Sequence, residues 1–215
     1  MNTLDGLRIG VACCGLAAGA AIVFQAAATR RLGRRPPFAP AAASARRGVF
    51  YAFGPGLSPA AKESTRTHPG AYALGVAYHL GIFTAFGCLA WLLLMAASGR
   101  APAAFPIGAR GVLGVILAAG SVGGLGLLGR RAGSAMLRDL SSPDDYFSNL
   151  LTTAFIALAG LRLWLSGAEA ALLVAAILLL GYAPVGKIRH CLFFFVSRYH
   201  LGRHFGRRGT FPLRH

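Results

Sequence analysis

Five long apolar stretches, at 7–28, 70–97, 109–128, 147–165 and 168–196, leave this chain few ways to fold. A helix needs roughly 20 residues to cross the hydrocarbon core of a bilayer, and inside that core every backbone amide must be satisfied within its own segment. The remaining composition agrees: 55% of the 215 residues are hydrophobic and 13% charged, with a mean hydropathy of +0.58. Ordinary soluble domains carry about twice that charge. The expected fold is therefore all-α, an integral membrane bundle of five transmembrane helices. The first stretch is too long for a signal-peptide core, and its basic cluster follows it, so it is expected to stay as a helix.

Charge sets the expected orientation. There are 22 Lys and Arg against 6 Asp and Glu. Eighteen of the basic residues fall in alternate connections: Arg30, Arg31, Arg34, Arg35, Arg46, Arg47, Lys62 and Arg66 after the first stretch, Arg130, Arg131 and Arg138 after the third, and Lys187, Arg189 and five tail arginines at the end of the fifth. Arg8, Arg100, Arg110 and Arg162 fall at the opposite face. Cations gather on the cytoplasmic side of membrane proteins, which places the N-terminus outside and the C-terminus in the cytoplasm. A pI of 11.3 by itself raises nucleic-acid binding. Because these cations alternate with spans, the lipid bilayer and not nucleic acid is the expected partner, and the expected location is the cell inner membrane, crossed several times.

The chain reads as a single transmembrane domain, 1–215, with a cytoplasmic loop at 29–69 and a basic cytoplasmic tail from 197. Pro36, Pro37, Pro40, Pro55 and Pro59 break up the loop, and a short helix is expected around "SPAAKESTR", with Ser58 as cap and Pro59 in the first turn. So long a connection suits a docking surface for a cytoplasmic partner. In the third stretch, Gly120 and Gly124 allow close helix packing, and the same lack of side chains leaves room for a flat cofactor. Ahead of the fourth, "LSSPDDYFSNLL" provides Ser142 as an N-cap, Pro143 at the first position and Asp144 and Asp145 where the helix dipole favours negative charge. Cys13, Cys14, Cys88 and Cys191 lie in apolar runs without metal-site spacing, and read as small buried hydrophobes.

Two histidines carry the functional reading. His79 stands about nine residues inside the second stretch, near 14 Å of helix from its cytoplasmic end. If the fifth helix runs on to about Tyr199, His190 stands at the same depth. An ionisable ring at membrane depth points to function, and two such rings on different helices are what a bis-histidine haem requires. The alternative is that each ring bonds a carbonyl on a neighbouring helix. His68, His200, His204 and His215 read as solvated or interfacial.

"YHLGIF" and "PVGKIRH" place those histidines in a context that resembles the membrane cytochrome b (gamma) subunit of respiratory nitrate reductase. The related membrane subunits of sulfite-reductase-linked and heterodisulfide-reductase-like complexes are also similar. The shared features are a His-Leu-Gly-Ile run on span two, and on span five a proline followed by a basic residue and then a histidine at intervals of three. "LRDLSSPDDYFSNLLTTAFIALAGL" looks like that family's fourth span. The resemblance implies a haem b with His79 and His190 as iron ligands, and it brings in a cytoplasmic iron–sulfur or catalytic subunit and quinone as partners. Two-haem members have further histidines at the positions of Leu89 and Leu172, so one haem is implied here, the one nearer the cytoplasm. Beside His190, Arg189 and Lys187 are expected to pair with haem propionates or to anchor the helix at the interface.

No nucleophile or acid–base pair suggests catalysis by this chain alone. The implied activity is electron transfer as one subunit of an oxidoreductase complex. The competing class is a haem-free membrane anchor or assembly subunit. Transport has little support, since no buried acidic residue or broken-helix pair marks a substrate path.

Overall fold

The computed structural model describes residues 2–29, 39–99, 105 and 107–211. Arg30, Arg31, Arg34, Arg35, Pro36, Pro37, Arg100 and His215, named above, and Arg214, the last of the tail arginines, lie outside the described residues. Regular structure among those described is helical throughout: α1 (Thr3–Thr29), α2 (Ala45–Phe53), α3 (Glu63–Thr67), α4 (Pro69–Ala97), α5 (Ile107–Gly133), α6 (Ala135–Asp139), α7 (Pro143–Arg162), α8 (Glu169–Tyr182) and α9 (His190–Arg207). Three helices, Thr3–Thr29, Pro69–Ala97 and Gly108–Gly133, are long and apolar enough to cross a membrane, and a fourth span exists if the pieces Ser166–Tyr182 and Lys187–Arg207 count as one interrupted span. The chain divides into two compact units, Met1–Ala18 with Gly70–Lys187, and Gly19–Pro69 with Ile188–His215.

The first unit is built on close helix contacts. A Cβ on Gly120 of α5 would lie 2.6 Å from the Gly81 Cα of α4, and one on Gly123 would lie 2.7 Å from the Leu74 carbonyl oxygen. At Gly124 the added atom would meet Thr153 Oγ1 of α7 at 2.2 Å and the Tyr78 ring at 2.7 Å. The small residues of the third stretch thus serve helix packing, and neighbouring chain fills the room a flat cofactor would need. Phe155, Ile156 and Leu173 are fully buried where α7 and α8 run side by side. α7 starts as expected: Pro143 occupies the first turn, and the Asp145 carboxylate accepts hydrogen bonds from Ser142 N–H at 2.9 Å and Ser142 Oγ at 3.0 Å.

The expected continuous fifth helix, 168–196, is not formed. α8 ends at Tyr182, and the N–H groups of Val185 and Gly186 both donate to the Tyr182 carbonyl, at 3.1 and 2.9 Å. Pro184 is the physical reason, because it has no N–H for the helical ladder and its ring opposes the preceding turn. Gly186 completes the turn, since a Cβ there would fall 2.2 Å from the Tyr182 ring. The chain resumes through a 3₁₀ turn at Lys187–Arg189, and His190 is the first residue of α9. The depth argument for His190 assumed an unbroken helix and therefore does not hold.

The second unit pairs α2 with α9. Their contact is glycine against glycine: a Cβ on Gly48 would lie 2.2 Å from the Gly202 carbonyl oxygen and 2.4 Å from the Gly206 Cα. Arg198 donates to the Ala52 carbonyl at 3.5 Å, and the N–H of Ala42 donates to the Arg207 carbonyl at 2.8 Å. The helix expected around "SPAAKESTR" is reduced to a 3₁₀ turn, Pro59–Ala61, and the short α3. Ser58 stands at the cap position of that turn but its side chain makes no capping bond. The cysteines are all free, and only Cys88 is fully buried; Cys13 and Cys191 are exposed, which corrects the expectation for those two.

Candidate functional site

Tyr78 and His79 are neighbours that face different ways. Tyr78 Oη donates to the Asn149 carbonyl of α7 at 3.2 Å and lies against α5 at Gly124. The buried residues Gly81, Ala85, Cys88, Leu89 and Leu92 continue that packed stripe of α4. One residue further round the helix, His79 is exposed, on a stripe with Phe83 and Phe86. Its Nδ1 lies 2.7 Å from the Gly75 carbonyl oxygen, one turn back on the same helix. A carbonyl only accepts, so Nδ1 carries the proton, and in the neutral ring Nε2 keeps its lone pair. The bond to a neighbouring helix considered for this histidine is replaced by one within α4. The resulting tautomer is the one a metal-binding imidazole adopts, with the far nitrogen held by a backbone carbonyl.

His190 is exposed and belongs to the second unit, whereas His79 belongs to the first. Arg189 precedes it and is exposed. Lys187, at the end of the first unit, is taken up in a helix-end cluster. Its ammonium donates to Asp145, and its backbone N–H donates to Asp144 Oδ1 at 3.3 Å. Tyr182 Oη also donates to Asp144, Ser148 Oγ does so at 2.8 Å, and Arg131 stands 3.5 Å from Asp145. The Tyr182 hydroxyl is the main cause holding the Asp144 carboxyl below the usual carboxylate range. Lys187 does the same for Asp145, which is lowered to about 2. Asp144 and Asp145, read from the sequence only as a helix start, tie α7 to the end of α8.

A second ionic cluster was not legible beforehand. Glu169, at the start of α8, is 4% exposed. Its Oε1 accepts from Arg8 Nη2 at 2.5 Å and Nε at 3.0 Å, and its Oε2 accepts from Arg162 at 2.9 and 3.1 Å. Arg8 also pairs with Asp5 at 3.0 Å. The grounds held against transport, no buried acid and no interrupted helix, therefore both fail. Glu169 is nevertheless saturated by two guanidinium groups, which suits a three-helix staple and leaves its oxygens committed. The sequence signal was scarcity: six acids among so many cations, one of them inside the apolar stretch 168–196, implies a partner for that one.

The other histidines stay apart. His68, His200 and His204 are exposed, and no three His, Cys, Asp or Glu side chains gather into a metal-binding group among the described residues. Bis-histidine ligation of a haem needs only two protein ligands, and the His79 tautomer fits that role. Leu89 and Leu172 are packed in the first unit at 4% and 1% exposure. No family model, no curated protein and no solved structure matches this chain at a significant level.

Proposed function

We propose that this chain is the haem b-bearing membrane subunit of a respiratory oxidoreductase complex in the inner membrane, crossing it five times with its N-terminus outside. His79 and His190 would each hold the haem iron through an imidazole, and electrons would pass between the membrane, from the quinone pool or another redox subunit, and an iron–sulfur or catalytic subunit docked on the basic cytoplasmic face. Bound there, a haem b supplies one-electron transfer at a potential tuned by its axial ligands and by burial. The observation that carries the reading is the His79 ring: Nδ1–H held by Gly75 at 2.7 Å, with Nε2 presented outward from an apolar helix. Arg189 remains the propionate partner in this scheme, since Lys187 already holds Asp145. The buried leucines at 89 and 172 support a single haem, because neither offers an iron ligand.

A reduced-minus-oxidised spectrum of the purified protein tests this. The expected result is one low-spin b haem per chain, lost in His79→Ala and in His190→Ala while both variants still insert in the membrane. Two haems, or an unchanged low-spin signal in His79→Ala, would overturn it. The haem-free anchor is the second reading, favoured by the cluster of Asp144, Asp145, Tyr182 and Lys187, which accounts for part of the "PVGKIRH" segment by helix stapling alone. It predicts no haem spectrum in any preparation.

A further inference from the structure

We infer that the second unit is a lipid-surface module, and that the outward face of α2 docks on the headgroups of anionic lipids. Gly48 and Ala52 turn one side of α2 onto α9, where the glycine contacts bring the two backbones too close to admit a side chain. The opposite side therefore presents a fixed row, Arg46, Arg47 and Phe50, at the i, i+1, i+4 spacing of one helical face. Phe50 is 75% exposed, with both arginines exposed beside it. A large aromatic ring flanked by two guanidinium groups is costly to leave in water and suits the headgroup boundary, where the ring enters the acyl edge and the cations meet phosphates.

Charge selects this occupant. From Gly19 to Pro69 and from Ile188 to His215 the sequence holds fourteen Lys and Arg and one acid, Glu63. Among the described residues, Arg46, Arg47, Arg203, Arg207 and Arg208 enter no ion pair within the chain, in contrast to Arg8, Arg131 and Arg162 of the first unit. Their counter-charge has to come from outside, and an anionic leaflet offers it at high density wherever the apolar helices insert. The inference does not depend on haem.

The test uses the full chain with Phe50→Trp, which keeps an aromatic wedge, in a Trp91→Phe, Trp164→Phe background. In vesicles of brominated phosphatidylcholine mixed with phosphatidylglycerol, the introduced tryptophan should be quenched and blue-shifted; in brominated phosphatidylcholine alone it should not. Adding Arg46→Gln and Arg47→Gln should weaken docking about fivefold per arginine, and high salt should act in the same direction. Both arginines are exposed, so unchanged helicity of the charge variant shows that its fold is kept. Equal emission in the two vesicle types would overturn the inference. So would quenching insensitive to both arginines, or water-like emission that shifts only when an acidic protein is added.

Discussion

Asp145 shows how one side chain ties two helices together and makes the tie depend on pH. Its carboxyl is lowered to about 2 chiefly by Lys187, against about 3.9 in an unfolded chain. The folded state therefore binds this proton more weakly than the unfolded state does. The stabilisation is fully present above about pH 4 and is lost as pH falls through about 2. Thermal unfolding in detergent should show a fall in midpoint between those values. Asp145→Asn should lower the midpoint at neutral pH and flatten the acid fall, with Asp144 providing what slope remains. A variant that keeps the full acid slope would assign the effect elsewhere. Residue types were legible at this scale, but partners across the fold were not. "YHLGIF" marked His79, and Ser142 and Pro143 marked a helix start, because both signals are local. That Asp145 meets Lys187, and that Glu169 meets Arg8 over an interval of 161 residues, is decided by packing alone.

At the scale of helices, the glycines of α5 have unequal roles that spacing alone does not separate. Gly120 faces the α4 backbone at a distance no side chain tolerates, whereas a Cβ on Gly129 meets nothing within 4 Å. Gly120→Val should cost about 1–3 kcal/mol or more, because the clash is with backbone and cannot be relieved by a rotamer change. Gly129→Ala should be neutral or slightly stabilising, through better helix propensity. Detergent unfolding midpoints of the two variants check the contrast, and equal midpoints would mean that the α4–α5 crossing is looser than described. The break after α8 was legible in principle, since Pro184 stood in the quoted segment. Hydropathy hides it, because the apolar run continues through Phe193, Phe194 and Phe195 and a missing N–H does not register there. The short α2 was missed for the opposite reason: its low hydropathy places it in a loop until Gly202 and Gly206 supply the surface it packs on.

For the whole molecule, topology turns on α7, which is not among the helices apolar enough to cross a membrane by composition. Its polar groups are accounted for inside the first unit: Thr152 and Thr153 are buried and donate to Ser148 and Asn149 of the preceding turn, at 2.7 and 3.2 Å. An ionic cluster closes each end, Asp144 and Asp145 at the start and Arg162 with Glu169 at the finish. Eighteen residues of helix separate Asp144 from Arg162, about 27 Å, close to the thickness of a bilayer core. A helix with its polar groups turned inward and its charges at both rims can cross although its mean hydropathy is modest. We therefore expect α7 to span, with Asp139 in the cytoplasm and Gly167 outside. In a background lacking the four native cysteines, Gly167→Cys should react with a membrane-impermeant maleimide in intact cells, and Asp139→Cys only after permeabilisation. Both positions are exposed, so failure to react reports the membrane and not burial. Labelling of both from the same side would show that α7 does not cross while the span that follows it still does. The count of crossings would then fall below five, and the two termini would no longer be expected on opposite sides.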